Sequence, residues 1–409
     1  MFVVTTAWCA LAQSIVSFIA ARAFCGLGAG GVLAMGSILT NDLVPIEIRG
    51  NYQAYINLFF GLGQACGAAF GGFLCDTLGW RWTFGIQIPA QLIILMAAVF
   101  IMPDTLGPNL ARNSDKSAFE HIKTFDLMGS FLLTTSVAFM ILGLNLGGNV
   151  LSWEHPFVIT SLIVSAIACY FLIRVEGKVE RPVMPLAMLF TAPRGNLVFS
   201  NFFSAIGSNT VIFNAPLYFQ AVKLDSAAQS GFRMAAPSLA IMELIVGGSL
   251  IALVGAICLT SMWDGIPTWL ATIFVVPVST GLGLSFPAAS LAVLATSTKE
   301  DQAVMTSTLS LFRSLGAVFG VAISSLIVQN ALSIDLEKYV TGPEKEQIIL
   351  RVRKSVRAIF DLTKEHRIEV IHAYEHSLRY VFASAIVLFV IVNALLILIR
   401  LPRLGNKKR

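Results

Sequence analysis

Phe59-Phe-Gly61-Leu-Gly63-Gln64-Ala-Cys-Gly67-Ala68-Ala-Phe-Gly71-Gly72-Phe-Leu-Cys75 lies inside one apolar run that follows Asn51 and ends at Thr77-Leu-Gly-Trp-Arg-Trp82. Its glycines recur at four-residue spacing, which on a helix strips one face of side chains and lets a second backbone approach, slide or rock against it. A helix that is both membrane-length and bare on one side suits a moving bundle better than a static anchor.

The rest of the chain has the same solvent preference. Of 409 residues, 56% are hydrophobic and 12% charged, and the mean hydropathy is +0.78. A water-soluble core cannot hide that much apolar surface, so the chain belongs in a bilayer. Apolar stretches of about 20 residues, the length that crosses about 30 Å of hydrocarbon, fall near residues 3–20, 23–41, 52–75, 82–102, 125–146, 155–174, 197–221, 236–261, 268–296, 305–332 and 379–400. The expected fold is an all-α polytopic membrane protein with about eleven transmembrane helices.

Several function classes are excluded at this level. No Lys/Arg run with interleaved aromatics points to nucleic acid, and no nucleophile elbow, metal-ligand set or phosphate loop points to an enzyme. The six cysteines, Cys9, Cys25, Cys66, Cys75, Cys169 and Cys258, sit within or at the ends of apolar runs and read as small hydrophobes. His372 and His376, four apart with Glu369 and Glu375 nearby, read as a solvated helix face. No cofactor and no metal is expected. The first apolar run starts at Phe2 without a basic lead, so it reads as a span and not as a cleavable signal.

Basic residues orient the chain, because Lys and Arg favour cytoplasmic loops. Arg49 follows the second span, Arg112, Lys116 and Lys123 the fourth, and Arg174, Lys178, Arg181 and Arg194 the sixth. The amino terminus then starts inside. The basic tail Arg400 to Arg409 asks to be inside too, which an odd span count forbids; residues 236–261, interrupted by Glu243 and Gly247-Gly248, are the segment that breaks the alternation. Residues 333–377 form the one sizeable polar stretch, with Ile349, Val352, Val356 and Ile359 at amphipathic helical spacing.

Polar groups at membrane depth are the candidate transport residues. Arg22 is costly near a membrane helix unless it faces a cavity or pairs, although it stands close enough to its span's start to snorkel. Asn57 and Gln64 in the third span, and Asn209 and Asn214 in the seventh, could hydrogen-bond a substrate without a buried charge, or could serve as interhelical polar glue. Gly63, Gly67, Gly71 and Gly72 are the candidate gating glycines. Glu243 is an acid deep in an apolar run, read here as a remnant of a helix boundary.

The wording of these segments resembles the major facilitator superfamily, and within it the 14-span drug:proton antiporter family. Gly63-Gln-Ala-Cys-Gly67-Ala-Ala-Phe-Gly71-Gly72 is similar to that family's antiporter motif, and Arg22-Ala-Phe-Cys-Gly26-Leu-Gly28-Ala-Gly30-Gly31 to the Arg-led motif on the helix before it. Glu180-Arg-Pro-Val-Met-Pro185, Pro216-Leu-Tyr-Phe-Gln220, Ser230-Gly-Phe-Arg233 and Phe312-Arg-Ser-Leu-Gly316 extend the likeness over nearly the whole chain. Asp42-Leu-Val-Pro and Gly50-Asn-Tyr-Gln-Ala-Tyr most resemble the fungal vacuolar basic-amino-acid branch. There are departures: Ala68 stands where the family has Pro, Cys25 where it has Gln, and the family's first two helices have no counterpart ahead of Phe2, as in a chain truncated at the amino terminus.

The resemblance implies an incomplete major facilitator bundle: a remnant of the amino-terminal bundle over 1–104, a cytoplasmic linker over 105–124, two central helices over 125–195, a carboxy-terminal bundle over 196–401 with a polar loop at 333–377, and a basic tail at 402–409. It implies a proton-coupled carrier of small cationic solutes such as basic amino acids, at the vacuolar membrane, with the matching Arg22 linked to proton coupling. Its partners would be a small-molecule substrate, protons and the lipid bilayer, with no nucleic acid, and it would act as a monomer. The alternatives are a multidrug efflux antiporter at the plasma membrane and a truncated membrane paralogue that transports nothing.

Overall fold

The computed structural model describes residues 1–44, 46–101, 126–148, 151–179, 183–184, 186–226, 229–230, 233, 245–296, 302–397 and 399. These residues fall into two compact units, one formed from 1–121 with 226–235 and the other from 122–225 with 236–409. Among the described residues the regular elements are all helical.

The first unit contains α1 (Phe2–Leu11), α2 (Ile15–Leu43), α3 (Ile46–Leu78), α4 (Trp80–Gly85) and α5 (Gln87–Ile101). The first expected span, 3–20, is not continuous. Ala12 turns to an extended conformation, and Ser14 opens α2 by accepting the Ser17 N–H at 3.1 Å. The break leaves the Ala12 carbonyl without a helical donor, and Arg81 of α4 supplies one, Nη2 to O at 3.1 Å, while its guanidinium lies 4.4 Å from the Trp80 ring. With ten residues α1 rises about 15 Å, half of what a bilayer needs. α2 crosses it closely at Gly28, where an added Cβ would come within 2.9 Å of the Phe2 backbone. α3 ends because Gly79 takes φ +83°, a conformation that glycine adopts without strain.

The second unit contains α6 (Leu127–Leu146), α7 (Pro156–Glu176), α8 (Leu186–Leu189), α9 (Arg194–Ala221), α10 (Ile245–Thr260), α11 (Thr268–Thr296), α12 (Gln302–Tyr339), α13 (Lys345–Lys354), a 3₁₀ turn (Val356–Asp361) and α14 (Lys364–Ile397). α6 and α7 pair through reciprocal bonds, Ser136 Oγ to the Ser165 carbonyl at 3.2 Å and Ser165 Oγ to the Ser136 carbonyl at 2.8 Å. This pair, expected as a separate linking segment over 125–195, belongs to the same compact unit as the later helices. Met184 explains why, since it packs against both the Leu132–Leu172 cluster between α6 and α7 and the Leu197–Met305 cluster between α9 and α12.

By length and composition, seven helical segments among the described residues can cross a membrane, including Ile15–Val32, Trp80–Ile101, Leu127–Leu146 and Pro156–Glu176. α9 is long enough but more polar than these, and 17 of its 28 residues are buried, Asn201, Ser208, Thr210 and Asn214 among them. It is the helix that its neighbours shield from lipid. α12 has 38 residues and rises about 57 Å at 1.5 Å per residue, so it runs well beyond the hydrocarbon. The polar stretch 333–377, expected as a loop, is therefore mostly helical: α12 continues to Tyr339 and α14 begins at Lys364. The expected amphipathic helix breaks at Ser355, and its buried apolar residues, Ile348, Val352 and Ile359, cover the bundle end beside Tyr374, whose hydroxyl donates to the Val352 carbonyl at 3.4 Å. Glu243 lies outside the described residues.

Candidate substrate site in the second unit

α9 packs against α11, α12 and α14. Its approach to α12 is glycine-controlled. A Cβ at Gly316 would sit 2.5 Å from the Phe202 carbonyl oxygen, and one at Gly320 2.6 Å from that of Ile206 and 3.0 Å from the Asn209 Cβ. Gly316 and Gly320, four residues apart, lie on one helix face, so backbone meets backbone along a full turn. Thr210 Oγ1 reinforces the crossing by donating to the Gly320 carbonyl at 3.3 Å, and Asn201 Nδ2 donates to that of Leu309 at 3.2 Å.

Arg313 stands three residues before Gly316, on the same side of α12. Its Cζ lies 3.5 Å from the centre of the Phe286 ring of α11, so the flat face of the guanidinium is stacked on an aromatic. Among the described residues it has no ion-pair partner and no hydrogen-bond partner. An arginine inside an apolar helix without a carboxylate partner is expensive, and such residues mark substrate or ion pathways. Its edge N–H groups stay available in the fork that fits a carboxylate two-pronged. Between α9 and α12, Phe199, Phe202 and Phe312 form edge-to-face pairs 5.8 and 6.0 Å apart, with Phe319 6.0 Å from Phe202. Arg313, part of the motif Phe312-Arg-Ser-Leu-Gly316, is not among the transport residues expected from sequence, although it is visible there as a cation in an apolar run.

Two of the expected transport residues lie on α9. Asn214 is buried and donates Nδ2 to the Thr210 carbonyl at 2.8 Å, which ties it to its own helix. Asn209, half-buried, donates Nδ2 to the Ala205 carbonyl at 2.9 Å and keeps its Oδ1 as an acceptor beside Gly320. In the first unit, Arg22 is exposed on α2 with its Cζ 5.6 Å from the Phe84 ring centre, and Gln64 is exposed on α3. The Asn57 side chain lies outside the described residues. An added Cβ at Gly63, Gly67 or Gly71 would meet nothing within 4 Å, so that face of α3 is open; Gly72 is half-buried.

Beyond these, Ser249 and Asn393 join α10 to α14, Oγ to Oδ1 at 2.8 Å. At the α12–α14 end, His376 Nδ1 lies 3.1 Å from Asp335 Oδ2, which also accepts from Ser377 Oγ at 3.0 Å. Among the described residues no cluster of His, Cys, Asp and Glu could hold a metal ion.

Helices with close glycine crossings around polar interior groups are the architecture of a carrier, and known proteins say which kind. The profile of the Major Facilitator Superfamily matches residues 1–251. This chain belongs to that superfamily. It is similar to the vacuolar basic amino acid transporter 2 of Saccharomyces cerevisiae, 30% identical over 91% of this chain and 84% of that one. It is also similar to the vacuolar membrane amino acid uptake transporter fnx2 of Schizosaccharomyces pombe, 33% identical over 91% of this chain and 67% of that one. The multidrug resistance protein fnx1 of the same yeast is 28% identical over 93% and 75%. Among solved structures, an inward-facing, unoccupied bacterial homologue of the human lysosomal transporter Spinster shares the fold, with a TM-score of 0.53 at 15% identity over 97% of this chain and 80% of that one. The superfamily member described here is thus an integral membrane transporter of small molecules, and not an enzyme.

Proposed function

We propose that this transporter is a monomeric, proton-coupled carrier that moves basic amino acids across a vacuolar membrane. The observation that carries the substrate class is Arg313. A free guanidinium in a membrane helix, braced by Phe286, suits the α-carboxylate that every amino acid presents and repels a purely cationic solute. Asn209 Oδ1 is the acceptor for an ammonium group, and Asn214 holds α9 in shape. The names of two relatives, from Saccharomyces cerevisiae and Schizosaccharomyces pombe, support the same substrate and membrane.

In the first unit Arg22 serves as a coupling residue, Asn57 and Gln64 as polar contacts, and Gly63, Gly67, Gly71 and Gly72 as a gating face. The open surface beside Gly63, Gly67 and Gly71 fits that role, because a gating helix needs a side that no fixed neighbour occupies.

The aromatic cluster of Phe199, Phe202, Phe312 and Phe319 favours a second reading, efflux of amphipathic cations, in keeping with the name of the fnx1 relative. Competition separates the two. With the protein in proteoliposomes, free arginine should compete for labelled-lysine uptake and arginine methyl ester, which has lost the carboxylate charge, should not. Equal competition by the ester, or better competition by lipophilic cations, would favour efflux.

A further inference from the structure

Two buried acids face one another at the end of the α6–α7 pair, outside the site described above. Asp126 caps α6, with Oδ1 accepting the Gly129 N–H at 2.7 Å, and Glu176 is the last residue of α7, with Oε2 accepting the Met184 N–H at 3.1 Å. They are 8% and 4% exposed, and the second oxygen of each, Asp126 Oδ2 and Glu176 Oε1, is buried without any hydrogen-bond partner. Both orphan oxygens point at one spot. A Cβ added to Gly129 would lie 2.1 Å from Asp126 Oδ2 and 3.0 Å from Glu176 Oε1, so the two oxygens are no further apart than about 5 Å, the sum of those distances. Gly129 keeps that space empty.

Two ionised carboxylates this close, both out of water, repel one another, and each carries a lone pair that nothing satisfies. Among the described residues no cation relieves them. Neither acid has an ion pair with a described residue, and the described cations nearest in sequence, Arg174 and Lys178, are exposed, with Arg174 over the Tyr170 ring. One proton removes both problems at once: it takes away one charge, and it turns the facing oxygens into a donor and an acceptor.

We propose that Asp126 and Glu176 form a protonation site, a carboxylic acid–carboxylate pair that binds a single proton at the mouth between α6 and α7. Asp126 is the ionised member, because its Oδ1 already accepts from the first turn of α6, where the helix dipole favours an anion. Glu176 carries the proton on Oε1 and donates it to Asp126 Oδ2. The proton exchanges with water at the mouth, and its loss adds one negative charge where the helices begin and end.

The test uses the full chain in lipid nanodiscs and infrared spectroscopy at pH 7. Wild type should show a protonated-carboxyl C=O stretch that shifts in D₂O, and this component should be absent from the difference with Glu176→Gln. Glu176→Gln, which keeps the size and the donor of the protonated acid, should fold with wild-type thermal stability. An identical carboxyl region in wild type and E176Q would overturn the proposal, as would carboxylate bands that respond to added sodium, the mark of a metal-cation site. Misfolding of E176Q at pH 7 would also contradict it, since the amide replaces the protonated acid without loss of shape. None of these outcomes depends on which substrate the carrier moves.

Discussion

The α9–α12 crossing yields a prediction with a magnitude set by geometry. An alanine Cβ at Gly316 would stand 2.5 Å from the Phe202 carbonyl oxygen and one at Gly320 2.6 Å from that of Ile206, whereas ordinary contact begins near 3.4 Å. The helices must then part by about 0.8 to 0.9 Å, or the backbone must bend. Overpacking of this kind costs about 1 to 3 kcal/mol, a 5- to 150-fold change in the folded population. Both positions lie on one face, one turn apart, so a single separation relieves both clashes. The double variant Gly316→Ala/Gly320→Ala should therefore cost less than the sum of its parts. Reversible unfolding in mixed micelles measures all three free energies, with Gly67→Ala as the reference, since its Cβ meets nothing within 4 Å. Equal stability of G316A and G67A, or strict additivity of the pair, would refute the close-crossing account.

Further outcomes follow from the other sites. Arg313→Gln should fold yet raise the KM for lysine at least tenfold, and Arg313→Lys should restore little of it, because an ammonium neither stacks nor forks; uptake kinetics in proteoliposomes check this. Asn214→Ala should lower unfolding stability by about 1 to 3 kcal/mol through the loss of a buried, bonded amide, while Asn209→Ala should leave stability alone and raise KM. Gly67→Leu should fold normally, since its own unit leaves that space open, but lose transport if the face is a gate; normal transport would remove α3 from the gating account. Burial holds the Lys223 ammonium below the usual lysine range, against the pull of Asp264, Glu375 and Asp225. The folded chain thus binds that proton less tightly than the unfolded one, so stability should rise as pH climbs towards the ordinary lysine value near 10. Lys223→Met should abolish the rise in a pH series of unfolding curves.

Much of the fold was legible because hydropathy is additive along a chain: expected spans such as 23–41, 52–75, 155–174, 197–221, 268–296 and 305–332 each fall on one helix, and Gly79 ends α3 on local grounds. What hydropathy misses is set by single hydrogen bonds and by contacts distant in sequence. Residues 3–20 are uniformly apolar, yet they break at Ala12, where Arg81, sixty-nine residues later, takes the carbonyl. Ile349 and Val356 share a stripe with Val352 and Ile359 on paper, but Ser355 breaks the helix and leaves Ile348 and Val352 on the covered side. The glycine face most visible in sequence, Gly63 to Gly72, has an open side, while the α9–α12 backbone crossing uses Gly316 and Gly320, a shorter and less conspicuous repeat. Arg313 stood out as a cation in an apolar run, but its stacking on Phe286, like the meeting of Asp126 with Glu176, required knowing which helices lie side by side.

The central claim is that an amino acid's carboxylate docks on Arg313 in a carrier driven by protons. The most direct measurement is uptake of labelled arginine into proteoliposomes under an imposed pH gradient, for wild type and Arg313→Gln at matched protein content. Gradient-dependent, saturable uptake by wild type and its loss at low substrate in R313Q is the predicted result. Uptake that ignores the gradient, or that R313Q matches at every concentration, would contradict it.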